Sequence, residues 1–279
     1  MSSDTKTVKA SRIQGLTPGV KVLLAVNILV FAAALFFNFR AAVNELGLHY
    51  FRSDEFSWYQ FLTSMFMHGG LFHIAINMFV LWMFGSPLES IWKTSKFIIY
   101  YFVSGLGASL LFLGFSAWQL NTLEQEVSAY AGSPTYQQYA EFFEENIDRS
   151  AGELYQQAEE LRSEWQANPE AGQYAQQSVQ VVEEFLEKYI DRPLVGASGA
   201  IYGILLAFGL IFPNVKVYIY FLIPMKSKYL VLLLGGLQLY LGLSGESAGV
   251  ANIAHLGGMI TGFILLMIWG YQKREIERG

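Results

Sequence analysis

The 279-residue chain contains no cysteine, so no disulfide staples its loops, an absence that leaves the redox compartment open. Charge is sparse as well: Asp, Glu, Lys and Arg make up 15% of the residues, against 53% hydrophobic and 16% aromatic, and the mean hydropathy is +0.33. The apolar residues come in blocks instead of at helical or strand spacing, which is the composition of a membrane protein. A cleavable signal peptide is also missing from the pattern. The first apolar run follows a polar segment of about nineteen residues and is too long for an h-region, so it is expected to be retained as a span.

Six apolar blocks qualify as spans, at roughly 20–39, 71–88, 97–118, 198–212, 229–243 and 252–270, each near the ~20 residues that cross ~30 Å of hydrocarbon. The fourth and fifth are short. Sorting the loops alternately to two sides places Lys6, Lys9, Arg12, Lys21, Lys93, Lys96, Lys216, Lys226, Lys228, Lys273, Arg274 and Arg278 together, twelve of the eighteen Lys and Arg. The positive-inside rule makes that side, which carries both termini, cytoplasmic. The expected fold is therefore all-α: a polytopic bundle of six transmembrane helices. It divides into 1–118 (cytoplasmic N-terminus and helices 1–3), 119–192, and 193–279 (helices 4–6 and cytoplasmic C-terminus).

The 119–192 segment carries fifteen Asp or Glu, falls on the outer side and is too long for a simple loop. Tyr136, Tyr139, Phe143 and Ile147 repeat at helical spacing, as do Leu154, Ala158, Leu161 and Trp165, and then Val179, Val182, Leu186 and Tyr189. An extramembrane helical insertion is expected, acting as a lid that restricts or recruits partners; disorder is the competing reading, weighed down by the aromatics.

Isolated polar side chains are costly in hydrocarbon and are read as functional first. His73 and Asn77 stand four apart near the start of span two, Ser198 opens span four, and His255 lies near the start of span six. With the termini inside, all these helix ends point outward at one depth. Ser198 to Phe212 covers only roughly 22 Å of ~30 Å, and Pro213 pins its inner end, so Ser198 is expected below the outer interface in a hydrated cavity. A neutral histidine suits the task of activating a serine, and His255 is the candidate base. No acidic residue lies in the same layer of spans two, four and six, which favours a Ser/His dyad over a triad. The Ser198 N–H at a helix N-terminus, with His73 and Asn77, offers donors to an oxyanion. Gly199 and Gly203 in span four, and Ala254, Gly258 and Gly262 in span six, permit close helix approach, and Tyr202, one turn below Ser198, is placed to pack on the imidazole. His68, five residues before His73, would point well away from it on a continuous helix, and His49 reads as a surface residue. Phe51, Phe56, Trp58, Tyr59 and Phe61 read as an interfacial belt.

The chain resembles the rhomboid intramembrane serine proteases. The marks are His68-Gly-Gly-Leu-Phe-His73-Ile-Ala-Ile-Asn77, then Gly196-Ala-Ser198-Gly199 with Tyr202, then Ala254-His255-Leu-Gly-Gly258-Met-Ile-Thr-Gly262, in that order. The resemblance implies Ser198 as nucleophile, His255 as general base, and His73, Asn77 and the Ser198 N–H as oxyanion hole. It further implies Tyr202 packed on His255, His68 structural in the first outer loop, and Gly196, Gly199 and Gly258 in supporting places. It implies hydrolysis of peptide bonds in or beside transmembrane segments of protein substrates, in a lipid bilayer such as a bacterial inner membrane, with no metal, cofactor or nucleic acid. Many relatives carry Trp-Arg nine residues before the first histidine where this chain has Tyr59-Gln60, so an arginine role in loop folding or oligomeric state does not carry over. Two other functions compete: a catalytically silent relative, which loss of Ser198 or His255 would have marked, and a small transporter or channel, against which the apolar inner halves of the even spans speak. Leu230 to Leu243 and the loop Ser244 to Val250 are candidate gates by analogy with the family.

Overall fold

The structure, a computed structural model, describes residues 6–9, 15–147, 149–219, 222–243 and 249–277. It divides into two compact units. The first comprises Met1–Leu48, Glu55–Leu113 and Pro193–Gly279, and the second His49–Asp54 and Gly114–Arg192.

In the first unit, helix α1 (Pro18–Phe37) opens with proline where a missing N–H costs nothing. Val20, Leu23, Asn27, Phe31 and Ala34 recur at three- and four-residue steps and are buried, while Val22, Leu29 and Phe36 are exposed and equally apolar. A helix apolar on both faces belongs in hydrocarbon. After the short α2 (Phe39–Leu46) and α3 (Gln60–Thr63), α4 runs over Leu71–Trp92 with a π-helical stretch at Leu81–Gly85. Helix α5 (Thr94–Gly132) begins in this unit and continues into the second, so the helix expected to stop near 118 runs fourteen residues further. The end of the apolar run marks the end of the apolar environment, whereas Asn121 to Ala131 contains no helix breaker.

The first unit closes with α9 (Ser198–Ile211), α10 (Ser227–Leu243) and α11 (Gly249–Trp269). Helices α1 and α4, part of α5, and Ala251–Trp269 of α11 are long and apolar enough to cross a membrane; α9 and α10 are apolar but shorter. The apolar helices make this an all-α integral membrane protein; among the described residues, four helices have the length to span where six spans are expected. Among the described residues, sheet is confined to two short pairs, Lys6–Lys9 parallel to Arg274–Glu277 and Lys216–Ile219 antiparallel to Ile223–Lys226.

Glu89 on α4 solves a problem at the start of α1. The N-cap residue Thr17 makes no side-chain cap to its own helix. Instead the Glu89 carboxylate, 3% exposed, accepts from the Gly19 N–H at 2.7 Å, the Val20 N–H at 2.9 Å, and the Thr17 and Thr94 hydroxyls, the last at 2.6 Å. One buried charge thereby satisfies orphan donors of α1 and ties it to the α4–α5 turn.

In the second unit, α6 (Tyr136–Asn146), α7 (Glu153–Ala167) and α8 (Gln173–Ile190) join the end of α5 around their own apolar core. In α7 the buried residues are Leu154, Ala158, Leu161 and Trp165, the stripe expected from spacing. In α8 the buried set is Tyr174, Ser178, Val181, Val182 and Phe185, so the inward face is rotated from the expected one and Val179, Leu186 and Tyr189 flank it. Tyr139 donates to the Ala158 carbonyl at 3.1 Å, and its ring lies 5.9 Å from Trp165, which pins α6 to α7. His49, expected at the surface, is fully buried.

Replacing Glu89 by alanine should strand the Gly19 and Val20 donors, each costing about 1–3 kcal/mol when buried. Thermal unfolding in detergent should show a loss of about 2–4 kcal/mol for Glu89→Ala and about 1 kcal/mol for Thr94→Val. An unchanged midpoint for Glu89→Ala would contradict this capping role.

Candidate active site

The chain reaches Ser198 along a short extended segment held from the side. Leu194 and Leu48 exchange backbone hydrogen bonds of 2.8 and 2.9 Å, and the Gly196 N–H donates to the Ser64 carbonyl at 2.9 Å. Gly196 sits at φ +133°, and a Cβ there would lie 3.0 Å from His73 Cε1, 3.1 Å from His73 Nε2 and 3.3 Å from Ser198 Oγ. Conformation and space both require glycine. The same contacts put the His73 ring edge and the serine hydroxyl around one point.

Ser198 is the first residue of α9, and its Oγ lies 2.8 Å from Nε2 of His255 on α11, a hydrogen bond between residues 57 apart in sequence. Tyr202, one turn into α9, stacks flat on the imidazole with ring centroids 4.3 Å apart and an interplanar angle of 11°. A hydroxyl bonded to a bare imidazole nitrogen can pass its proton to it.

These two helices touch through backbone. A Cβ on Gly258 would lie 1.9 Å from the Gly199 carbonyl oxygen; one on Gly199 would meet Ala108 Cβ of α5 at 2.4 Å; and one on Gly203 would meet Ser104 Oγ at 2.5 Å. Small-residue steps thus bring α5, α9 and α11 into contact beside the serine.

His73 and Asn77 lie one turn apart on α4. The Gly69 N–H donates to His73 Nδ1 at 3.2 Å, so a neutral His73 carries its proton on Nε2, the nitrogen nearer Gly196. Asn77 is 5% exposed, and its Nδ2 amide makes no hydrogen bond among the described residues. A buried donor without a partner is costly and calls for a reason.

The Rhomboid domain family model matches residues 55–122 and 172–272, more than half of the chain. The chain belongs to the rhomboid family. Over 93 residues it is 29% identical to Rhomboid-like protein 11, chloroplastic, of Arabidopsis thaliana, covering 33% of this chain and 32% of that protein. Over 61 residues it is 30% identical to Rhomboid protease GluP of Bacillus subtilis (strain 168), covering 22% of this chain and 12% of that one. It therefore spans a third or less of the length of these curated relatives.

Two features of this rhomboid's site escaped the sequence. Gln238, from α10, places its Oε1 2.7 Å from His255 Nδ1, so the histidine has a third partner from a helix credited with no polar role. His68 does not turn away from His73: no continuous helix joins them, because Gly69 and Gly70 precede the start of α4, and the chain folds back to set the two rings 5.2 Å apart, with His68 fully buried. Residues 244–248 of the expected gate loop lie outside the described residues. Among the described residues, no group of three His, Asp or Glu gathers as a metal site would need.

The glycine contacts yield a paired test. Gly258→Ala should cost about 1–3 kcal/mol by overpacking, whereas Gly236→Ala, where a Cβ meets nothing within 4 Å, should be neutral or stabilising by about 0.5–1 kcal/mol. Thermal unfolding of both variants in one detergent measures the difference, and equal midpoints would refute the account of close approach.

Proposed function

We propose that this rhomboid is an intramembrane serine endopeptidase that hydrolyses peptide bonds in or next to the transmembrane segments of membrane proteins. The observation that carries the reading is the 2.8 Å hydrogen bond between Ser198 Oγ and His255 Nε2. Ser198 Oγ attacks the scissile carbonyl while His255 Nε2 takes its proton. The carbonyl oxygen becomes an oxyanion that accepts from the Ser198 N–H at the N-terminus of α9, from Asn77 Nδ2 and from His73 Nε2–H. His255 then returns the proton to the leaving amine, and water, deprotonated by the same imidazole, releases the acyl group and restores Ser198. Tyr202 holds the ring in plane through both halves, and Gly196, Gly199 and Gly258 keep the space in which the helices meet.

Membrane orientation follows from charge. With twelve of eighteen Lys and Arg on the side of the termini, both termini are cytoplasmic and the serine opens to the outer side, as in a bacterial inner membrane. The chain is one rhomboid domain interrupted by the helical insertion 119–192, and the unmatched stretch 123–171 between the two matched segments supports that division. The name of the Bacillus relative, a rhomboid protease, supports the activity.

Purified protein in liposomes should cleave a model transmembrane substrate. Ser198→Ala and His255→Ala should abolish cleavage, and Asn77→Ala should lower kcat by about 10²–10³-fold, the cost of one oxyanion donor. Cleavage that survives Ser198→Ala overturns the assignment.

A further inference from the structure

Gln238 stands out on α10 as a buried amide, 6% exposed, in a run that otherwise reads Val231, Leu232, Leu233, Leu234, Gly235, Gly236, Leu237 before it and Leu239, Tyr240, Leu241 after it. A side-chain amide in hydrocarbon is costly unless its hydrogen bonds are made. The bond that Gln238 makes is to the imidazole of His255: Oε1 lies 2.7 Å from Nδ1, on the far side of the ring from Ser198. Tyr202 stacks on the face of the same ring, so the imidazole is held on one face by Tyr202 and at its Nδ1 edge by Gln238.

We propose that Gln238 is a positioning residue for His255, the third member of a Ser198–His255–Gln238 relay; this rests on the serine protease reading above. A carbonyl oxygen has no proton to give, so a bond from Gln238 Oε1 to Nδ1 requires the proton to be on Nδ1. In a neutral imidazole that leaves Nε2 bare, facing the Ser198 hydroxyl, which is the only tautomer able to accept the serine proton. When Nε2 takes that proton the ring becomes an imidazolium, and the Nδ1–H to Oε1 bond turns from a neutral into a charge-assisted one, stronger at the moment the positive charge appears. The charge stays on the ring, since an amide oxygen does not accept the proton. An asparagine amide holds the corresponding place in papain-like cysteine proteases, so a neutral third member is chemically sufficient. The absence of an acidic residue in the layer excludes only an ionised orienter.

The test uses the full chain. Gln238→Met keeps length and apolar volume but removes the acceptor; Gln238→Glu keeps an oxygen at the same reach. In liposomes with a transmembrane substrate, Gln238→Met should lower kcat by about 10–100-fold with KM nearly unchanged, and Gln238→Glu should recover most of the loss. In wild-type protein labelled with 15N-histidine, the resonance lost in His255→Ala should report protonation on Nδ1; this readout needs no Gln238 variant to fold. Wild-type kcat in Gln238→Met, a loss confined to KM, equal deficits in Met and Glu variants, or an Nε2-protonated His255 would each overturn the proposal. Ser198→Ala and His255→Ala run beside them separate the two claims. Cleavage by Ser198→Ala removes the protease reading, whereas inactive Ser198→Ala and His255→Ala with a fully active Gln238→Met removes only the relay.

Discussion

Where Gly258 passes Gly199 there is no room for a side chain on either helix: a Cβ on Gly258 would sit 1.9 Å from the Gly199 carbonyl oxygen. In lipid, helices gain nothing from hiding apolar surface from water, so contact of this kind rests on dispersion and on small residues that admit backbone to backbone. Ser198 immediately precedes Gly199, and His255 lies one turn before Gly258, so the glycine contact sets the distance between hydroxyl and imidazole. Gly107, where a Cβ would meet Thr261 Oγ1 at 1.9 Å, brings α5 against α11 in the same manner. Ala108 and Ser104 then fill the remaining space beside α9. A site built on backbone contact has few soft side chains to absorb an error, which suits a hydrogen bond that must stay near 2.8 Å.

Around that contact the apolar surroundings set a second rule, that polar groups have partners. Glu89 satisfies it structurally, because its carboxylate is shared among the α1 donors and Thr94. His255 is bonded at both ring nitrogens and stacked on one face. Asn77 Nδ2 is one of several buried groups that make no hydrogen bond among the described residues. Glu89, with its bonds made, holds the scaffold, while Asn77 keeps a buried donor to spare.

Much of this was legible in the sequence because membrane helices write themselves as long apolar runs and because the motif residues are local. Ser198, Gly199 and Tyr202 fall within five residues, and Ala254, His255 and Gly258 within five more. Of the motif residues, the structure brings Ser198, His255, Tyr202 and the edge of the His73 ring together at the head of α9. Gln238 was not legible: a lone glutamine in a leucine run has no motif, and its partner is 17 residues away on another helix, so only the packing of α10 against α11 reveals it. The place of His68 was lost for a different reason. Helical geometry was applied across Gly69 and Gly70, where the helix has not begun and Gly70 is still extended, so helical spacing does not place His68. Glu89 lies one residue past the expected end of span two, outside the apolar run, and nothing in that position announces a buried carboxylate. In the second unit, the inward face of α8 was misjudged by a small rotation because Tyr174, Ser178, Val181 and Phe185 compete with Val179, Leu186 and Tyr189 for one amphipathic stripe.

The central claim is that the group bonded to Ser198 during the reaction directs its oxygen at the donors of α4 and the start of α9. An experimental structure of the protein after reaction with a serine-directed phosphonate tests it most directly. The account predicts phosphorus on Ser198 Oγ, with the phosphoryl oxygen within hydrogen-bond distance of Asn77 Nδ2, His73 Nε2 and the Ser198 N–H. An adduct on another residue, or one on Ser198 whose oxygen points away while Asn77 Nδ2 stays unbonded, would contradict it.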